Sequence, residues 1–92
     1  MIYDVIVIGG GPGGYAAALY AARANLTTLV LEKFSPGGQM ATTDIVENYP
    51  GFDLISGMEL ISKMKPQCEK FSEIRENQII EDIEKRDDGI YI

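Results

Sequence analysis

Histidine is missing from the 92 residues, and cysteine occurs once, at Cys68. Without histidine the chain can neither ligate a metal through imidazole nor carry out acid–base catalysis with one. We expect no metal site. A single cysteine excludes an internal disulfide framework and a Cys-x-x-Cys pair, and it suits a reducing cytoplasm. Basic residues are few: 8 Lys and Arg stand against 14 Asp and Glu, for a net charge of -6. Phosphate contacts need Lys and Arg, so neither nucleic acid nor an anionic membrane is an expected partner. No apolar run approaches the roughly 18 residues of a membrane-spanning helix. Residues 1–8 lack the basic start and cleavage site of a signal peptide and read better as a first strand. Internal repeats, low-complexity tracts and linkers are also missing.

What is present is concentrated in Val5–Glu32, VIVIGGGPGGYAAALYAARANLTTLVLE. An apolar β-branched run meets a glycine cluster, a small-residue helix follows, and a second apolar run ends in an acid. Gly9, Gly11 and Gly14 fit G-x-G-x-x-G, and Glu32 stands about where a dinucleotide fingerprint places its acid, roughly 20 residues further on. Each part has a physical role. Gly9 lets the chain turn off the strand, Gly11 lets a pyrophosphate approach the backbone, and Gly14 lets helix and strand lie close. Pro12 sits at the loop-to-helix junction, where a fixed φ and a missing N–H cost least. The helix start offers N–H groups and partial positive charge to phosphates. Glu32 would accept hydrogen bonds from ribose hydroxyls and would repel a 2′-phosphate, so the segment suits NAD or FAD rather than NADPH. A Gly-rich turn between two core elements would leave Glu32 at the end of an apolar strand unexplained.

Further along, the spacing predicts strands over 3–8 and 27–31 and a helix over 15–24. The helix carries Ala17, Ala18, Ala21 and Ala22, which serve close packing, helix propensity or both. Asn25 takes the left-handed cap position that glycine usually fills. Residues 34–53 are rich in Gly and Pro and show little periodicity. A loop of this length is either a turn-rich surface connection or functional. Its neutral donors and acceptors, Gln39, Thr42, Thr43 and Asn48, suit a ring system such as a flavin. Ser56-Gly57-Met58-Glu59 is a capping box, and Leu60, Ile61, Met64, Cys68 and Phe71 then recur at helical spacing. Cys68 on that stripe reads as a core residue. Pro66 predicts a kink or break. A third strand is expected from Glu73-Ile74-Arg75. Asp88-Gly89, with Ile79–Ile83 and Ile90–Ile92 as flanking stretches, predicts a hairpin.

The fingerprint GGGPGG, then LVLEK, PGGQM and VENYPGF, resembles the N-terminal segment of bacterial thioredoxin reductases over nearly the whole chain. The flavoprotein subunit of alkyl hydroperoxide reductase and ferredoxin–NADP reductases of the thioredoxin-reductase type share it more weakly. The resemblance implies an α/β fold: the first βαβ half of a Rossmann-like FAD-binding domain, with parallel strands and a C-terminal β-hairpin. It implies that Gly9, Gly11, Pro12, Gly13 and Gly14 hold the FAD pyrophosphate, and Glu32 with Lys33 beside it the adenosine ribose. Gly38, Gln39, Met40, Thr43 and Asn48 would serve the flavin side, and the backbone near Ile79 the adenine. The family places an extra small residue before the third strand, where only Ser72 separates Phe71 from Glu73 here. In the complete enzyme electrons pass from NADPH to FAD, to a cysteine pair and to thioredoxin, in a homodimer. This sequence holds no second glycine fingerprint and no cysteine pair, so residues 1–92 read as a partial FAD domain without an NADPH domain and without catalytic residues. We expect a fragment or truncated reading frame with an exposed strand edge and apolar face. The alternatives are a piece of one of the related reductases or a non-catalytic nucleotide-binding module.

Overall fold

A computed structural model describes residues 2–33 and 45–92. Strand β1 (Val5–Ile8) leads into helix α1 (Pro12–Arg23), which returns the chain to strand β2 (Thr28–Leu31). Helix α2 (Gly57–Glu69) and strand β3 (Glu73–Arg75) follow. The chain ends in a hairpin of β4 (Glu84–Arg86) and β5 (Gly89–Tyr91). The first three strands form one parallel sheet in the order β1-β2-β3, with Val7 opposite Val30 and Val30 opposite Ile74. The expected α/β architecture, parallel sheet and terminal hairpin are all present.

Pleating sends alternate side chains to opposite faces. Val30 is fully buried beneath both helices, in a core with Tyr15 and Ala18 of α1 and Ile61 and Cys68 of α2. Val7, Ile74 and Met64 pack against it. On the far face, Ile6, Leu29 and Leu31 border a cavity of about 700 Å³ that Ile79, Ile90 and Ile92 also line. Central β2 is the most buried strand, whereas Ile8 of β1 is 48% exposed. Among the described residues β1 pairs only with β2, so its outer edge is open, as expected. In a doubly wound sheet that is where the strands of the second half would add.

Local chemistry accounts for the ends of these elements. Asp4 and Thr27 clasp the starts of β1 and β2: the Thr27 N–H and hydroxyl both donate to Oδ2 of Asp4, at 2.9 and 3.0 Å, and the Asp4 N–H returns a bond to the Thr27 hydroxyl. Asn25 adopts φ +66°, the left-handed conformation expected of it. Tyr49-Pro50-Gly51-Phe52 forms a tight turn in which the Phe52 N–H donates to the Tyr49 carbonyl at 3.2 Å. Gly51 sits at φ +95°, and proline followed by a positive-φ glycine is the type II pattern. An antiparallel bridge between Val46 and Ile55 closes this segment, and both side chains are buried with Leu60.

Four expectations need correction. Helix α1 starts at Pro12, not Tyr15, so Gly13 and Gly14 are helical. Helix α2 runs through Pro66 without a break. Pro66 lies in the last turn and is exposed, so its ring meets solvent and it removes a single helix bond. Phe71 lies past the end of α2 and is 53% exposed instead of joining the apolar stripe. The hairpin forms, but its first strand is Glu84–Arg86 rather than Ile79–Ile83, and Asp87-Asp88 make its two-residue turn, leaving Gly89 to open β5. Gly89 at φ +148° explains the glycine there. The short connection through Ser72 still delivers β3 in parallel register beside β2.

Candidate functional site: the glycine turn and Glu32

The chain leaves β1 through Gly9, whose φ of +111° a larger residue would adopt only with strain. The Gly9 N–H donates to the Leu31 carbonyl at 2.8 Å, which pins the turn against the end of β2. Gly11 is the N-cap of α1, in extended conformation, and Pro12 is the first helical residue. No side chain caps this helix and no acid lies in its first turn. With Pro12 contributing no N–H, the donors of Gly13 and Gly14 are left for an external acceptor. Gly14 is forced: a Cβ there would fall inside the van der Waals radius of the Gly9 carbonyl oxygen. Gly13, by contrast, has open space where its Cβ would stand.

Glu32 ends β2 beside this turn and is only 5% exposed. Oε2 accepts a hydrogen bond from the Gly10 N–H, and Oε1 accepts one from the Lys33 N–H at 2.8 Å. Its backbone is fixed on both sides: the N–H donates to the Arg75 carbonyl at 3.0 Å, and the carbonyl accepts from the Gln78 N–H at 2.8 Å. The second bond brings the stretch containing Ile79 alongside Glu32. Ile79 itself is 71% exposed, so its backbone rather than a buried side chain is offered there. A buried carboxylate with further lone pairs on both oxygens is an acceptor for a vicinal diol. The donor-rich helix start is an acceptor site for an anion.

The structure therefore brings Gly9, Gly11, Pro12, Gly13, Gly14, Glu32, Lys33 and Ile79 to one end of the sheet. Asn48 is exposed on the separate segment that carries the Tyr49–Phe52 turn. Gly38, Gln39, Met40 and Thr43 lie outside the described residues. Two residues escape the fingerprint: Gly10, whose amide is the partner of Glu32, and Tyr15, whose hydroxyl reaches the space over Gly10. Spacing alone could not single them out, because Gly10 fills a variable position of the motif and Tyr15 reads as an ordinary helical residue. Cys68 is a core residue as expected; burial pushes its thiol pKa up, against a hydrogen-bonding contact with the Ser72 hydroxyl at 3.0 Å. The described residues contain no cluster of three potential metal ligands, and no helix long and apolar enough to cross a membrane.

A parallel βαβ unit with its glycine turn under an uncapped helix, and a buried acid at the end of the second strand, defines the dinucleotide-binding class of α/β proteins. A family model described as FAD dependent oxidoreductase matches residues 4–83, and the chain belongs to that family. It is 60% identical over 70 residues to a thioredoxin reductase of Bacillus subtilis, covering 76% of this chain and 22% of that protein. It is 51% identical over 86 residues to a bifunctional thioredoxin reductase/thioredoxin of Mycobacterium leprae, covering 92% of this chain and 19% of that protein. The crystal structure of Lactococcus lactis thioredoxin reductase superposes with a TM-score of 0.90 at 43% identity, covering 97% of this chain and 29% of that one. The chain thus spans about a fifth of the length of these curated relatives.

Proposed function

We propose that residues 1–92 form the first part of the FAD-binding domain of a thioredoxin reductase. The observation that carries this reading is the buried Glu32 carboxylate facing the glycine turn that starts an uncapped helix. Membership of the FAD dependent oxidoreductase family and the likeness to three thioredoxin reductases support it. The same likeness favours this reading over a piece of an alkyl hydroperoxide reductase flavoprotein or a ferredoxin–NADP reductase.

In this reading Gly11, Pro12, Gly13 and Gly14 hold the pyrophosphate with backbone donors and the dipole of α1. Glu32, with Lys33 beside it, accepts from the adenosine ribose, and the backbone near Ile79 meets the adenine. Gly38, Gln39, Met40, Thr43 and Asn48 serve the flavin side. FAD, when bound, supplies the electron transfer between a nicotinamide and a disulfide. In the complete enzyme the electrons come from NADPH and leave through a cysteine pair to thioredoxin. That enzyme is a cytoplasmic homodimer with no nucleic-acid, membrane or metal partner. None of the 92 residues is assigned a catalytic step, and the chain alone should not reduce a disulfide.

The test is a visible absorption spectrum of the purified chain after addition of FAD and removal of free flavin. A retained, perturbed flavin band is expected. A colourless protein with the circular dichroism of a folded chain would overturn cofactor binding by this segment and favour a non-catalytic module.

A further inference from the structure

Among the described residues, the Tyr15 hydroxyl is the one fully enclosed side-chain polar atom without a hydrogen-bond partner. Tyr15 is 1% exposed and packs between α1, α2 and β2. An unpaired buried hydroxyl is destabilising, and phenylalanine would fill the same space without that cost. Its location is informative. A Cβ built on Gly10 would stand 3.1 Å from the Tyr15 hydroxyl and 2.7 Å from Oε2 of Glu32, so both groups border one spot over Gly10. Burial first, and then the charge of Glu32, pushes the Tyr15 pKa up to about 12, so the hydroxyl stays a donor at neutral pH. Oε2 is meanwhile engaged by the Gly10 N–H, and any diol that Glu32 binds competes with that amide.

We propose that Tyr15 is a positioning residue for Glu32: its hydroxyl is the second docking point of the carboxylate, engaged when a ribose diol draws Oε2 off the Gly10 amide. The released Gly10 N–H then joins the donors of the glycine turn. The inference rests on the FAD reading above and adds a residue outside the fingerprint to it. It explains why a hydroxyl is kept where the ligand-free chain has no use for it.

The experiment compares wild type, Y15F, E32Q and Y15F/E32Q by flavin-fluorescence titration with FAD, together with thermal midpoints in its absence. Y15F is expected to weaken FAD binding about tenfold, the scale of one hydrogen bond to a charged group. The ligand-free midpoint of Y15F should be unchanged or raised, which a purely structural tyrosine would not show. In the E32Q background the same substitution should change affinity by less than about twofold, because the two groups act as a unit. Equal FAD affinity in wild type and Y15F would overturn the inference while leaving the FAD reading intact. So would a fall in the ligand-free midpoint of Y15F, or independent, multiplying penalties in the double variant. Failure of the wild type itself to bind FAD would overturn the FAD reading and the inference with it.

Discussion

The two helices of this chain begin in opposite ways. Ser56 closes α2: its side chain accepts the Glu59 N–H at 3.1 Å, and Glu59 supplies the acid of the first turn. Helix α1 begins with glycine and proline, has no side-chain cap and carries no acid in its first turn. A helix end costs stability when its N–H groups are left unpaired. Helix α2 meets that requirement from its own sequence. Helix α1 leaves it open, and a buried carboxylate waits beside the opening. A self-satisfied end serves the fold, whereas an unsatisfied end beside a prepared acceptor serves a ligand.

The contrast can be broken most severely at Gly14. Gly14→Ala places a methyl against the Gly9 carbonyl, which is backbone and cannot swing aside. A loss of about 3 kcal/mol in urea unfolding is expected, with FAD binding lost as well. Next comes Glu32→Gln, which keeps the shape but removes the charge. FAD affinity should fall roughly tenfold to a hundredfold by fluorescence titration, the range for hydrogen bonds to a charged group. Ser56→Ala uncaps α2 and should cost about 1 kcal/mol of stability. Its FAD affinity should be unchanged within twofold; a loss comparable to that of Glu32→Gln would mean that both helix ends serve the ligand. Gly13→Ala sharpens the comparison from the other side. With open space and an ordinary helical φ, it should gain about 0.5 kcal/mol by restricting the unfolded chain, although it stands one residue from Gly14.

Much of this site is legible in the sequence because its signals are local. The order of strand, glycine turn, helix and strand, the close approach at Gly14, the Ser56 cap and the Asn25 turn each follow from the chemistry of a few adjacent residues. Interactions between distant residues are less legible. The bond from Gly10 to Glu32 joins residues 22 apart, and no periodicity predicts it. Glycine is a poor helix former, so Gly13 and Gly14 read as loop until packing against β1 draws them into α1. Phe71 matches the helical stripe in spacing but falls beyond the last turn of α2. Strand β4, Glu84-Lys85-Arg86, is charged and exposed throughout, so it lacks the alternating pattern that marks a half-buried strand.

The clasp between Asp4 and Thr27 fixes where local opening begins and ends. It joins β1 to β2 at one end of the sheet, while the Gly9, Arg75 and Gln78 backbone bonds hold the other end around Leu31 and Glu32. Fraying therefore cannot start from either end of β2 without first breaking a fastening. The terminal hairpin is exposed at every residue and has no such restraint. Amide deuterium uptake should divide the chain accordingly, with Leu29 and Val30 exchanging only on global unfolding and Glu84–Tyr91 exchanging through opening of the hairpin alone.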